Sequence, residues 1–272
     1  FHSLGQKENE IFENKILDTN IFTPLLHIEN DPMSNPIIHL GIEEKLQLSF
    51  DDFSEDIQDF YYTIVHCNSD WTMSDLMQSE YINGFFENRI EDYEFSFNTL
   101  QKYIHYNLVF PEDYLKPLLS GNYIIKVFTN NNPEEVVLIK RFMILDEKIN
   151  ISSNVKRATL IDDREYKQEV DFTISHPNVY ISNPYSDIRV VIKQNNREDN
   201  SITNLQPLFV KQDQLIYDYE SENTFEAGNE FRHFDIKSIR YQSERIKEIS
   251  SDSNNINIKL FTDISRSFED FI

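Results

Sequence analysis

Glycine is scarce in this chain, with 5 in 272 residues. That excludes the glycine-rich loops that cradle phosphates or dinucleotides. Alanine occurs only as Ala158 and Ala227. Asn, Ile, Lys, Glu and Asp fill the gap, as expected of AT-rich coding, so arguments from Asn and Ile counts carry little weight. The single cysteine, Cys67, excludes an intramolecular disulfide. Its apolar neighbours at 61–65 read it as a small buried residue rather than a reactive thiol. No apolar run approaches the ~20 residues that cross a bilayer. The longest, such as 123–128, is short and broken by Lys126. Positive charge is also short: 25 Lys and Arg against 47 Asp and Glu, a net charge of -22. Such a field repels nucleic acid and anionic membranes, and suits a basic protein partner or simply a soluble protein. The chain opens on Phe1 rather than Met, which reads as processed or trimmed.

What is present is strand-like. Lys45-Leu46-Gln47-Leu48-Ser49-Phe50 alternates polar and apolar, the period of a half-buried strand. Residues 60–67, 104–110, 123–128 and 136–145 read as further strands. Asn130 to Pro133 turns the last two into a hairpin. One short helical patch is expected at 70–77, with Ser74 as its cap. Gly84 and Gly121 are expected at turns, Gly121 in a tight one. Residues 147–159 are polar and mark a boundary. Strands are expected again at 169–175, 188–193, 205–210, 215–219, 231–238 and 256–261, separated by Asn- and Pro-rich turns. The expectation is an all-β chain of two antiparallel, immunoglobulin-like β-sandwich domains with little helix. The first spans 1–147 and the second 148–272.

No constellation carries catalysis. The acidic run Asp51-Asp52-Phe53-Ser54-Glu55-Asp56, with Asp59, lacks EF-hand spacing and its glycine, and reads as a solvated loop. His66 and Cys67 are adjacent and so point to opposite faces of a strand. His105 and His233 lie far off, and no CxxC, HxH or HExxH pattern occurs. No GxSxG elbow is present. The expected sets of catalytic, cofactor-binding and metal-ligating residues are all empty, with no cofactor. Trp71, Tyr81, Phe85, Phe86, Tyr93, Tyr103 and Tyr106 cluster in sequence. They read first as core, with a protein interface or a sugar-stacking face as alternatives. Trp71, Tyr103 and Tyr106 are expected to be mostly buried, with Trp71→Ala costing on the order of 3 kcal/mol or more.

One set of residues carries a family likeness. His66-Cys67, Asp70-Trp71, Glu80-Tyr81, Gly84-Phe85, Ser96, Asn98-Thr99, Tyr103, His105-Tyr106, Phe110-Pro111 and Ser120-Gly121-Asn122-Tyr123 resemble the first domain of the type IX secretion system plug family. That family was long a domain of unknown function. Phe225 to Arg232, with Phe234-Asp235, is similar to its second motif. The resemblance implies a non-enzymatic plug that seals the periplasmic opening of the outer-membrane translocon barrel. It implies a periplasmic place at the inner face of the outer membrane. It implies a barrel partner, no nucleic acid and no direct membrane insertion. It also implies further C-terminal chain, in keeping with the abrupt end at Ile272. The alternative is a carbohydrate-binding or adhesin-like sandwich module.

Overall fold

Two stretches of strict alternation set the first sheet, and an almost unbroken apolar run sets the centre of the second. The computed structural model describes residues 11–54, 56–228, 231–252 and 255–262. The chain divides into two units, Phe1–Glu147 and Lys148–Ile272. The first holds β1 (Lys15–Ile16), β2 (Ile21–Ile28), β3 (Ile37–His39), β4 (Leu46–Asp52), β5 (Phe60–Cys67) and α1 (Gln78–Tyr81). It continues with β6 (Ile82–Gly84), β7 (Asn88–Arg89), β8 (Asp92–Phe95), β9 (Ile104–Phe110), β10 (Leu115–Pro117), β11 (Gly121–Thr129) and β12 (Val136–Leu145).

β2, β4, β9 and β8 form one antiparallel sheet in that order. Leu48 pairs with Leu108, and Phe50 with Tyr106, all turned inward and buried. A one-residue slip would turn this whole row to solvent, so burial fixes the register. The facing sheet runs β1–β12–β11–β5–β7, with β3 pairing in parallel with the end of β12. Tyr62, Ile64, Tyr123, Ile125, Val127 and Phe142 fill the space between the layers. Each such buried side chain contributes about 1.5–3 kcal/mol relative to exposure. β11 lies between β5 and β12 and is covered on its other face too, where Ile124, Ile139 and Cys67 pack under Phe12 and Trp71. Burial on both faces is why its sequence reads as an apolar run broken only by Lys126.

The helix expected at 70–77 does not form. Trp71 sits at φ +68 in the left-handed region. Its N–H donates to the Asn68 carbonyl at 3.0 Å, and the Thr72 N–H donates to Asp70 Oδ1 at 3.1 Å. The segment turns back on the end of β5, where Cys67 bridges Met73. Met73, Leu76 and Met77 therefore face solvent. A helical turn comes later, at Gln78–Tyr81, where the Met77 N–H donates to Glu80 at 2.7 Å. Ser74 caps nothing and instead meets His66 Nδ1 at 2.9 Å.

The second unit holds β13 (Asn150–Arg157), β14 (Lys167–Ser175), α2 (Pro184–Asp187), β15 (Val191–Ile192), β16 (Ile202–Thr203) and β17 (Phe209–Lys211). β18 (Gln214–Tyr217), β19 (Thr224–Glu226), β20 (Ile246–Ser251) and β21 (Ile256–Leu260) complete it. One five-stranded sheet, β13–β14–β18–β17 with β19 on β14, carries the core. Phe172 stacks on Tyr217 at 4.4 Å, and Val190 and Leu205 pack on them from the irregular chain across the sheet. The polar stretch read as a boundary is in large part β13, paired with β14 along its full length. It reads as linker because it is an edge strand exposed on both faces. No strand forms at 231–238, where Phe231 and Phe234 are exposed. The run at 188–193 shortens to β15, and the one at 205–210 moves to β17. Asn229 and Glu230 of the second motif lie outside the described residues.

Candidate functional site

The sequence motif around His66 builds a packed joint. His66 on β5 pairs with Tyr123 on β11, and the two rings meet edge to face at 5.0 Å. Tyr81 closes the other side at 5.8 Å. Gly121 opens β11 at φ +146, and a Cβ there would lie 2.7 Å from His66 Nε2. Gly121 is therefore the first residue of a strand, not part of a tight turn, and the imidazole occupies the space a side chain would need. Burial holds the His66 pKa below its ordinary value. Cys67 faces the opposite side, buried at 2% exposure, and burial pushes its thiol up to about 12. A thiol that stays protonated is no nucleophile.

Gly84 makes a second joint. At φ +117, its Cβ position lies 2.1 Å from the Tyr114 carbonyl oxygen, which also accepts the Phe85 N–H at 2.7 Å. This close approach sets exposed Phe85 beside exposed Tyr114 on the rim of an open cleft of about 470 Å³. Asn88, Asn107, Asp92 and Glu112 add polar walls. A second cleft of about 560 Å³ lies over His39, Gly41 and Glu44. There Glu44 accepts at His39 Nδ1 at 2.8 Å and Glu147 lies 3.4 Å from Nε2.

The acidic run divides by role. Asp52 is buried and accepts from the Ser54 N–H at 2.9 Å and its hydroxyl at 2.6 Å. Asp51 accepts from Thr23 and meets His105 Nδ1 at 2.7 Å. Asp59 pairs with Arg89. One carboxylate group with metal-like spacing, which the sequence reading missed, lies in the second unit. Ligand oxygens of Glu169, Asp171 and Asp218 fall within 4.8 Å of one another. The Lys156 ammonium already bridges two of them, 3.0 Å from Glu169 and 2.5 Å from Asp171. Burial opposes the Glu169 charge. The Thr159 N–H and the Lys156 ammonium outweigh it and hold the carboxyl below its usual range. The only sequence signal was register, since Lys156 sits directly across from Glu169.

The seven clustered aromatics separate. Tyr81 and Tyr106 are buried, while Phe85, Phe86 and Tyr93 are exposed. Trp71 and Tyr103 are half-buried rather than core. Arg141 covers the Trp71 ring at 4.5 Å, so the cost of a large core truncation does not belong to Trp71. Tyr103 joins a surface assembled from three strand ends. Phe22 packs on Phe53 at 4.7 Å, and Phe53 stacks on Tyr103 at 5.5 Å. From this base the loop 96–103 projects Phe97 and Leu100, 93% and 108% exposed.

The first unit is a β-sandwich with exposed aromatic edges. Residues 21–146 match the family described as type 9 secretion system plug protein 1st domain. The crystal structure of a hypothetical protein from Parabacteroides merdae is similar over 93% of this chain, with 33% identity and a TM-score of 0.86. The chain spans 64% of that protein's length. No curated protein matches.

Proposed function

We propose that this chain is a non-enzymatic plug that binds and seals the periplasmic opening of the type IX translocon barrel, peripheral to the inner face of the outer membrane. The observation that carries this is the plug-domain match across the first unit. The chemistry agrees with it. The Cys67 thiol is buried and stays protonated, His66 packs on Tyr81 and Tyr123 and meets the Ser74 hydroxyl, and His39 and His105 face carboxylates. A plug needs a rigid body and a contact surface, and the sandwich supplies both.

The test is deletion of the gene followed by outer-membrane permeability to small solutes, with co-purification of the barrel on the tagged chain. Leakage on deletion, together with recovered barrel, supports the reading. Equal permeability with no barrel recovered overturns it. One observation favours a second reading, a glycan-binding module: the cleft between Phe85 and Tyr114, with amide and carboxylate walls. Saccharide binding that F85A abolishes, in a chain that leaves the barrel alone, would select it.

A further inference from the structure

Four strand ends meet at one end of the first sheet. Ile21 opens β2 and pairs with Asp52, which closes β4, and Asp52 pairs with Ile104 of β9. Ile104 in turn pairs with Phe95, which closes β8. The loops that leave this end are apolar to an unusual degree for a surface. Phe22, Ile57, Phe95, Phe97 and Leu100 are each at least 45% exposed. Water-exposed apolar side chains gathered in one place mark an interaction site.

The loop that displays them is closed at its base. The Ser96 N–H donates to the Tyr103 carbonyl at 2.9 Å, and the Tyr103 N–H donates back to Ser96 Oγ at 3.0 Å. Beneath it lies the Phe22–Phe53–Tyr103 stack. Phe97 and Leu100 thus stand on a fixed base with nothing over them, so little order has to be gained when they are covered. The charge around them is mostly negative. Over the described residues of 17–23, 51–57 and 94–105, the carboxylates open to solvent are Asp18, Asp51, Asp56 and Glu94, while Asp52 is buried. Against them stand Lys102 and His105, and His105 is held by Asp51.

We propose that this end of the sheet, with Phe97 and Leu100 at its tip, is the surface that docks on the translocon barrel. The inference rests on the plug reading. It commits to one occupant: a protein rim with an apolar recess for Phe97 and Leu100, bordered by Lys or Arg side chains that meet the carboxylates. Charge complementarity selects it. A bilayer with anionic headgroups would repel the same carboxylates.

The test uses the full chain and purified barrel from the same species, with F97S/L100S and D56K/E94K as variants. Both pairs are solvent-exposed, so unchanged thermal unfolding is the folding control. Binding should weaken about tenfold or more in F97S/L100S, the scale of losing an interface anchor. It should weaken less in D56K/E94K, with most of that loss in the association rate and with a reduced salt dependence. Wild-type affinity in F97S/L100S overturns the docking surface and leaves the plug reading standing. Absence of wild-type binding overturns both. Phosphatidylglycerol vesicles are the remaining arm, and wild-type binding to them that F97S/L100S abolishes overturns the proposal in favour of a lipid surface.

Discussion

The first unit closes two sheets on interleaved aromatic rows, whereas the second has one principal sheet and closes it with irregular chain. In the first, Phe142 meets Phe110 of the other layer and Tyr123 of its own, each at 5.4 Å between ring centroids. In the second, Phe172 and Tyr217 stack on the same sheet, and what lies over them comes from short pieces such as β15 and β16. The second unit adds a polar cluster where the first has apolar contact: Lys156, Glu169 and Asp171 hold β13 to β14. Stability in one unit thus rests on packing density, and in the other partly on charge. Their responses to substitution and to pH should differ accordingly.

The largest effect should come from the aromatic core. Phe142→Ala removes a ring buried at 1% exposure between Phe110 and Tyr123. It should cost about 3–5 kcal/mol, the range for large-to-small changes that leave a cavity. Chemical denaturation followed by tyrosine fluorescence measures it. A loss below about 1 kcal/mol would show that the first unit is not held by this row.

A smaller loss tests the joint between β5 and β11. Gly121→Ala places a methyl 2.7 Å from His66 Nε2, at φ +146. Strain and overpacking together should cost about 2–3 kcal/mol. In an H66A background the contact is gone and only the backbone strain remains, so the same substitution should cost about half as much. Equal costs in both backgrounds would mean that the imidazole is not what demands glycine.

The same contrast explains what was legible in the sequence. The pattern of residues 60–67, 104–110 and 136–145 predicts strands, and β5, β9 and β12 occupy those positions. Each has a buried face or two, so burial leaves a periodic trace in the residues. β13 left none, because an edge strand exposed on both faces can be polar throughout. β20 is hidden for a similar reason, with only Ile246 buried. The helix at 70–77 failed on Trp71, since spacing of apolar residues says nothing about a bulky residue held at positive φ. The exposed aromatic edge of the first unit is half legible. The aromatics between Tyr81 and Tyr106 were seen as a group, but which ones face water depends on register. Phe22 and Phe53 join Tyr103 only because three strand ends converge. Nothing in Phe97 or Leu100 as letters separates an exposed side chain from a buried one.

The mildest prediction concerns the charged cluster of the second unit. Lys156→Met leaves Glu169, at 0% side-chain exposure, without its ammonium. The Thr159 N–H at 2.6 Å and hydroxyl at 3.0 Å remain, so the carboxylate is not stranded. Lys156 is itself 37% exposed, and water and salt already screen the pair. The loss should therefore be about 1–2 kcal/mol, below the range for a fully buried pair. The pH dependence fixes the mechanism. Glu169 titrates near 4.5 in the unfolded chain and lower in the folded one. The folded state thus holds fewer protons there, and the stabilisation is fully present above about pH 4.5. It is lost as pH falls from that value through the lower folded one. Lys156→Met should raise the folded value and shrink this acid-side slope. If the variant is less stable at neutral pH but keeps the wild-type slope as pH falls below about 4.5, Lys156 acts through the packing of its alkyl chain. In that case the second unit is held, like the first, by contact rather than charge.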